Sequence, residues 1–381
     1  MITQKNNCSG CTACQQLCPK KCISMKLDQE GFLYPIIDQS KCIKCGICEK
    51  KCPANQIKSG VIPYIFYVSK NKDDEIRKKS SSGGIFHLLA TNTIKNKGKV
   101  IGAAFDQKFQ LKHLMIEKDK DLSKLMGSKY LQSEMENIYS EVQKELKNGI
   151  AILFSGTPCQ IKGLNSYLGQ KYDNLLSVDI ICHGVPSPKV FKKYKKQIEN
   201  QIGESQKISF RSKKIGWKKF SLEIKSATKE YSETLDKDPY MQGFLKDLYL
   251  RPSCYNCSSN NYTSGADITL GDCWGIEDIN AKFDDDQGIS VISINTEKGT
   301  NIFNLIKDKL DYFELNKEIA EKNNPCLISS VLPHKNRKKF FEELDKTDNI
   351  SKLINKNIKE SFYKRSKQKT KTVIKKLIGR A

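Results

Sequence analysis

Two cysteine runs constrain this chain more than any other feature. Cys8-Ser-Gly-Cys11-Thr-Ala-Cys14-Gln-Gln-Leu-Cys18-Pro19 recurs as Cys42-Ile-Lys-Cys45-Gly-Ile-Cys48-Glu-Lys-Lys-Cys52-Pro53, with every cysteine 34 residues on. A 4Fe-4S cube needs four thiolates around one small inorganic core. A Cys-x2-Cys-x2-Cys loop wraps three corners, and the fourth cysteine, followed by Pro, is carried on a short helix to the other cube. The spacing therefore assigns Cys8, Cys11, Cys14 and Cys52 to one cube and Cys42, Cys45, Cys48 and Cys18 to the other. Pro19 and Pro53 turn the chain away by fixing φ. Gly10 and Gly46 allow the backbone close to the sulfurs. Zinc normally takes two separated Cys-x2-Cys pairs instead. Cys22 lies outside both runs and reads as a buried spectator.

The cysteine distribution points the same way. Of fifteen, nine precede residue 53, none lies between 53 and 158, and six follow. In a chain of 381 residues without a secretory leader pattern, this usage means metal or redox work rather than disulfides. A cytoplasmic location is expected. Apolar residues make up 38% and the mean hydropathy is −0.54. The longest apolar runs, near Ile150–Phe154 and Val178–Cys182, are too short to span a bilayer. The net charge of +22 suits an anionic partner. There is no helix-turn-helix, RNA-binding or zinc-finger signature, so nucleic acid is not expected. The better fit is an acidic redox carrier, or else a redox subunit that partners this chain.

Beyond a linker at residues 58–63, the pattern becomes mixed α/β, with strands expected over Tyr64–Ser69, Val100–Phe105, Ile150–Phe154, Leu175–Ile181, Ala266–Leu270 and Ile289–Asn295. Lys207–Arg211 and Phe220–Lys225 read as a hairpin or meander. Helices are expected over Ile85–Ile94 and Ile138–Leu146. The domain boundaries follow as 1–60, a two-cluster ferredoxin module; 61–149 and 150–335, the two parts of a larger mixed-sheet domain; and 336–381, a basic helical tail. Residues 351–381 hold eleven Lys or Arg against Glu360 alone, with an apolar stripe at Val373, Ile374, Leu377 and Ile378. A solvated basic helix is the plain reading; attachment to the anionic inner face of a membrane is the sharper one.

Three further features carry chemistry. Ser81-Ser82-Gly83-Gly84 precedes an apolar helix and is a phosphate-cradle candidate, although Ser82 could equally be an ordinary N-cap. Gly127-Ser128-Lys129-Tyr130 is a second loop, with a cation and an aromatic. Cys159 and Cys182 each follow a buried strand; if those strands are parallel neighbours, both thiols emerge at one carboxyl edge. With Cys254-Tyr-Asn-Cys257 they make four ligands, enough for a third cube. A zinc site of four cysteines, unrelated buried thiols, and a lone reactive Cys159 with a lowered pKa are the alternatives.

The strings Ser81–Gly84, Gly127–Tyr130, Phe154-Ser-Gly-Thr-Pro-Cys159-Gln160, Cys182-His-Gly-Val-Pro-Ser-Pro188 and Ile268-Thr-Leu-Gly-Asp272 resemble the family of coenzyme F420 hydrogenase/dehydrogenase β-subunits, in which a two-cluster ferredoxin module is a common fusion. The resemblance runs from residue 1 to about residue 310. It implies FAD in the second domain, with the Ser81–Gly84 loop against the flavin nucleotide and Gly127–Tyr130 helping. It implies a cluster beside the flavin, which Cys159, Cys182, Cys254 and Cys257 fit, and it puts His183 and Cys159 forward as catalytic candidates. The implied activity is an oxidoreductase passing electrons between a one-electron carrier and F420 or another reducible organic substrate. The alternative is an electron-transfer subunit with no catalysis of its own. Cys273 stands where the family pattern leads us to expect an aromatic, and is either a substitute ligand or a packing variant. Cys326 belongs to no motif and reads as structural.

Overall fold

The computed structural model describes residues 2–56, 60 and 62–359. Positions 58, 59 and 61 of the expected linker, and the Val373–Ile378 stripe of the tail, lie outside the described residues.

The N-terminal module is built on a hairpin of β1 (Ile23–Leu27) and β2 (Leu33–Ile37), with Ile23 opposite Ile37. Its turn is closed by Asp28, whose Oδ1 accepts the N–H groups of Glu30 and Phe32 at 3.0 and 2.9 Å. Each cysteine run leads into a short helix, Ala13–Leu17 or Ile47–Lys50. The two runs share one backbone path. Gly10 and its counterpart Lys44 have φ of +71° and +55°, and Thr12 and its counterpart Gly46 have +63° and +72°. Glycine thus occupies only one of the two left-handed positions in each repeat, and Lys and Thr accept strain at the others.

The remaining strands are β3 (Ile65–Asn71), β4 (Lys99–Phe105), β5 (Leu111–Ile116), β6 (Ile152–Gly156), β7 (Leu175–Ile180), β8 (Lys207–Ser212), β9 (Ser221–Lys225), β10 (Glu230–Thr234), β11 (Ile268–Asp272), β12 (Ser290–Ile294) and β13 (Leu310–Leu315). Eight of them form one mixed sheet in the order β13-β3-β12-β11-β7-β6-β4-β5. Its centre is parallel: β4 with β6, β6 with β7, and β7 with β11. Successive residues face opposite sides of a strand. Accordingly Val100, Leu153 and Val178 pack under the helix Ile85–Lys95, while Ile101, Ile152 and Phe154 pack against the helices Ile138–Lys147 and Pro158–Leu168. With both faces covered, β6 reads as a continuous apolar run, as central parallel strands do.

Strands β8, β9 and β10 form a separate antiparallel meander, with β10 added to the two strands expected from the sequence. Its core corrects the proposed boundary at 336. The helices Arg337–Leu344 and Ile350–Ile358 are not a free basic tail. Phe340, Leu344, Ile350 and Ile354 are fully buried in the same cluster as Leu222, Ile224 and Phe244. The lysines dominate the composition there, but the apolar residues recur at helical spacing and bury one face.

Candidate cluster chambers and cofactor cleft

In the N-terminal module, Cys8, Cys11, Cys14 and Cys52 are brought together. Burial pushes the Cys11 thiol up to about 12, against a hydrogen bond from the Ala13 amide, and the nearby thiols of Cys8, Cys52 and Cys159 add to the push. Burial and the thiols of Cys11, Cys8 and Cys52 raise Cys14 likewise. Cys52 thus lies near the thiols of the first run and near Cys48 of its own run. Cys14, Cys18, Cys42 and Cys48 all border one small core around Cys22, Ile23 and Cys52, and Cys18 Sγ lies 3.3 Å from that of Cys22. The amide of Lys44 donates to Cys42 Sγ at 3.4 Å.

The first run is seated against the large domain by groups that no local motif announces. A Cβ on Gly163, in the helix Pro158–Leu168, would stand 2.9 Å from Cys11 Cβ and 3.2 Å from its Sγ, so glycine is what lets the loop lie there. Arg251 is 1% exposed. Its Nε donates to the Cys8 carbonyl at 2.7 Å, Nη1 to Gln132 Oε1 at 2.9 Å and Nη2 to the Leu33 carbonyl at 2.8 Å; Nη2 also lies 3.8 Å from Cys8 Sγ. Its guanidinium covers the Tyr34 ring at 4.3 Å. Gln16 Oε1 accepts the Tyr139 amide at 3.0 Å, Ser166 donates its hydroxyl to the Lys51 carbonyl, and Arg337 pairs with Glu30 at the hairpin turn.

Strands β6 and β7 are parallel neighbours, so Cys159 and Cys182 do emerge at one edge. Cys159 follows a complete helix start: Thr157 and Gln160 form a capping box, with Pro158 in the first turn. Together with Cys254 and Cys257 the two thiols line a chamber of about 840 Å³, measured to its open mouth, which Asn7 and Ser9 beside Cys8 also border. The amide of Val185 donates to Cys254 Sγ at 3.3 Å, and that of Ser259 to Cys257 Sγ at 3.4 Å. Burial raises Cys254 to about 12 and Cys182 well above the ordinary thiol value, with the other chamber thiols adding to both. The reading of Cys159 as a lone thiol of lowered pKa is overturned: burial and Cys257 push it up, and the Thr157 hydroxyl at 3.2 Å does not compensate.

His183 lies in this chamber and not on the large cleft described next. Its Nε2 is 2.8 Å from Asp247 Oδ1, and its Nδ1 is 3.9 Å from Cys326 Sγ. Burial opposes the imidazolium, but Asp247 and Cys326 prevail and raise His183 to about 9. Cys326 is thus a fifth thiol of the chamber rather than a remote structural cysteine; at 143 residues from His183, no local pattern could reveal it. Cys273 goes the other way. It is 2% exposed among Phe66, Val68 and Trp217, away from both chamber and cleft, so it is packing and not a ligand. The next residue, Trp274, stacks on Trp217 at 5.0 Å.

A larger cleft of about 1510 Å³, measured to its open mouth, lies along the carboxyl ends of β4, β6, β7 and β11. Both loops singled out from the sequence border it, and they are joined: Ser81 Oγ accepts from the amide and, at 2.9 Å, the hydroxyl of Ser128. Ser82 is not the N-cap. Its hydroxyl donates to the Ile289 carbonyl, and Gly84, at φ +83°, caps the helix with no side-chain bond. Gly84, Ile85 and Phe86 at the start of that helix line the cleft, while Gly83 is held inside by Ser69 and Ser290. Lys129 offers no free cation. Its Nζ donates to the carbonyls of Leu125, Met126 and Gly127 at 2.9 to 3.2 Å, and burial lowers it to about 7. The cleft's polar pair is Arg211 with Asp272, at 2.7 Å, with Tyr130 Oη 3.2 Å from the same guanidinium nitrogen. Arg211 comes from the meander and carried no sequence signal. Cys159 lines the cleft and the four-thiol chamber alike.

Two crossed cysteine loops docked on a thiol-lined α/β cleft define an iron–sulfur protein of the redox class. Residues 7–57 match the 4Fe-4S dicluster domain, and residues 150–320 match the carboxyl-terminal family of the coenzyme F420 hydrogenase/dehydrogenase beta subunits. Residues 150–320 thus carry a domain of that family, behind an N-terminal 4Fe-4S dicluster domain. A protein of the F(420)H(2) dehydrogenase of Methanosarcina mazei, one of its subunits, is 21% identical over 343 residues, covering 82% of this chain and 86% of that one. The coenzyme F420-dependent sulfite reductase of Methanocaldococcus jannaschii is 26% identical over 324 residues, 81% of this chain but 47% of that protein, so the chain spans about half its length. The F420-reducing NiFe hydrogenase complex from Methanosarcina barkeri contains a chain that aligns with a TM-score of 0.49 at 18% identity, covering 77% of this chain and 97% of that one.

Proposed function

We propose that this chain is an iron–sulfur flavoprotein that relays electrons between a one-electron carrier and a two-electron organic partner of the F420 kind. One observation carries the reading: Cys159 is a shared wall of the cysteine chamber and the large cleft, and the Cys8–Cys11 loop borders both through Ser9. In this reading Cys8, Cys11, Cys14 and Cys52 hold one cube, Cys42, Cys45, Cys48 and Cys18 a second, and Cys159, Cys182, Cys254 and Cys257 a third. These four cysteines line one chamber and supply the ligand number that a 4Fe-4S cube takes. The bare thiols keep their protons, so loading the chamber releases them.

The cleft fits a flavin nucleotide by its donors. The helix start at Gly84 and Ile85, which has no side-chain cap and lines the cleft, and the Ser81–Ser128 junction beside it would offer hydrogen bonds to phosphate. A bound flavin would exchange a hydride on one side and single electrons on the other. Arg211, charge-compensated and held by Asp272, presents a fixed guanidinium to the cleft, and the buried His113 lines it as well.

Anaerobic reconstitution tests the proposal. We expect a bleachable flavin spectrum over the iron–sulfur absorbance, and iron for three cubes. Cys182→Ala should lose one cube's iron and keep the other two. Protein that takes up iron but no flavin would refute the flavoprotein reading. It would leave an electron-transfer subunit without catalysis of its own. That is the second reading, and it is favoured by the M. mazei relative's being one component of a larger dehydrogenase.

A further inference from the structure

The two cysteine loops are alike in backbone and opposite in surroundings. Gly10 of the first loop is enclosed: a Cβ there would meet Gln132 at 2.6 Å and Arg251 at 2.9 Å. Gly46 of the second has nothing within 4 Å of the same position. Around it Ile43 is 57% and Ile47 37% exposed, and Cys45 is exposed as well. Lys20, Lys21, Lys41, Lys44 and Lys50 are all exposed on this loop and on the segment that follows Cys18. The acids here are Glu49 and Asp38, and Asp38 lies 3.4 Å from Lys41. Five lysines against two acids is a much steeper ratio than the chain's 65 basic to 43 acidic residues, so the local charge exceeds the general basicity.

We infer that this face is the docking surface for a small acidic one-electron carrier protein. Two exposed isoleucines ringed by lysines give an apolar contact with a cationic rim, and complementary charge steers an acidic partner onto it. One electron leaves the reduced carrier and arrives at the group held by Cys18, Cys42, Cys45 and Cys48. The carrier is oxidised by one electron, and no bond is made or broken. The first loop, buried against the large domain, then serves the inward side. This inference rests on the proposed reading that the second run holds a cube.

The test measures reduction of the reconstituted protein by a reduced, strongly acidic 4Fe-4S ferredoxin, and separately by reduced methyl viologen. We expect the ferredoxin rate to fall steeply as salt is raised, and to fall about tenfold or more in the Lys20→Glu, Lys50→Glu double variant. Viologen reduction should stay unchanged. A matched pair flanking the edge strand β13, Lys309→Glu with Lys317→Glu, should leave the ferredoxin rate within about twofold, as expected of a non-interface charge change. Ile43→Ser, which alters no charge, should slow the ferredoxin alone. Equal losses in both lysine pairs, or no loss in the first, would overturn the docking surface. Iron content and the EPR signal of the reduced protein are read on the same samples. Failure there refutes the cluster reading itself, whereas intact clusters with an indifferent ferredoxin refute only the surface.

Discussion

At the residue scale, single side chains hold the junction between the module and the large domain. Arg251 donates to two backbone carbonyls and to Gln132 from a fully buried position. Arg251→Met would leave buried acceptors of Cys8 and Leu33 without a donor, at about 1–3 kcal/mol each. Urea unfolding should register that loss, and Arg251→Lys should recover only part of it, since ammonium lacks the planar fork. His113 is a second case. Its Nε2 stands 3.1 Å from the Ser155 carbonyl and its Nδ1 2.9 Å from Ser133 Oγ, which itself accepts from Gln160. That chain of bonds suits the neutral ring, with the proton on Nε2. Burial lowers its pKa from 6.5 to about 4. The unfolded chain therefore binds the proton first, so this contribution is full above pH 6.5 and is lost as pH falls toward 4. Between about pH 7.5 and pH 5 the loss is on the order of 2 kcal/mol. Unfolding curves of His113→Gln should show a correspondingly shallower decline over that window; an unchanged decline would remove His113 from the account.

At the element scale, the helix Pro158–Leu168 joins three tasks. Its capping box fixes where Cys159 leaves β6, its apolar face covers Ile152 and Phe154, and Gly163 receives Cys11. Gly163→Leu is expected to leave the helix in place but push the first cysteine loop away. Hydrogen exchange should then rise at the amides of Ala13–Leu17 more than at those of β6. Thr157→Ala, which removes the cap, is expected to cost about 1 kcal/mol in the same unfolding assay. This element was half legible. Thr-Pro after an apolar run marks the strand's end and the helix's start. Nothing around Gly163 marked it as the seat of a loop far earlier in the chain.

At the scale of the whole molecule, the carboxyl-terminal helices close the meander's core. Truncation after residue 335 would remove Phe340, Leu344, Ile350 and Ile354, each worth about 1.5–3 kcal/mol when buried, and bare the faces they cover. The shortened chain should be recovered largely aggregated or with a much reduced unfolding midpoint. A soluble, fully folded truncation would show that these helices are accessory. Composition concealed this, because lysines on the outer faces dominate any average over the segment while the buried stripe is a minority of it.

What the sequence by itself determined was local. Cysteine spacing, the proline after each run, the apolar runs and the glycine-bearing loops depend on neighbours a few residues apart, and periodicity records them. The roles of Ser82 and Lys129 stayed open in the sequence because their partners, Ile289 and the carbonyls of Leu125, Met126 and Gly127, are chosen by the folded path and not by composition. Only the tertiary structure decided that Cys326 joins the chamber while Cys273 leaves it, that Arg211 and Asp272 meet 61 residues apart, and that of two like cysteine loops one is buried and the other bare. Side-chain burial and long-range pairing are set by how the sheet and its helices pack, and identical short motifs carry no record of which face they will turn to the rest of the chain.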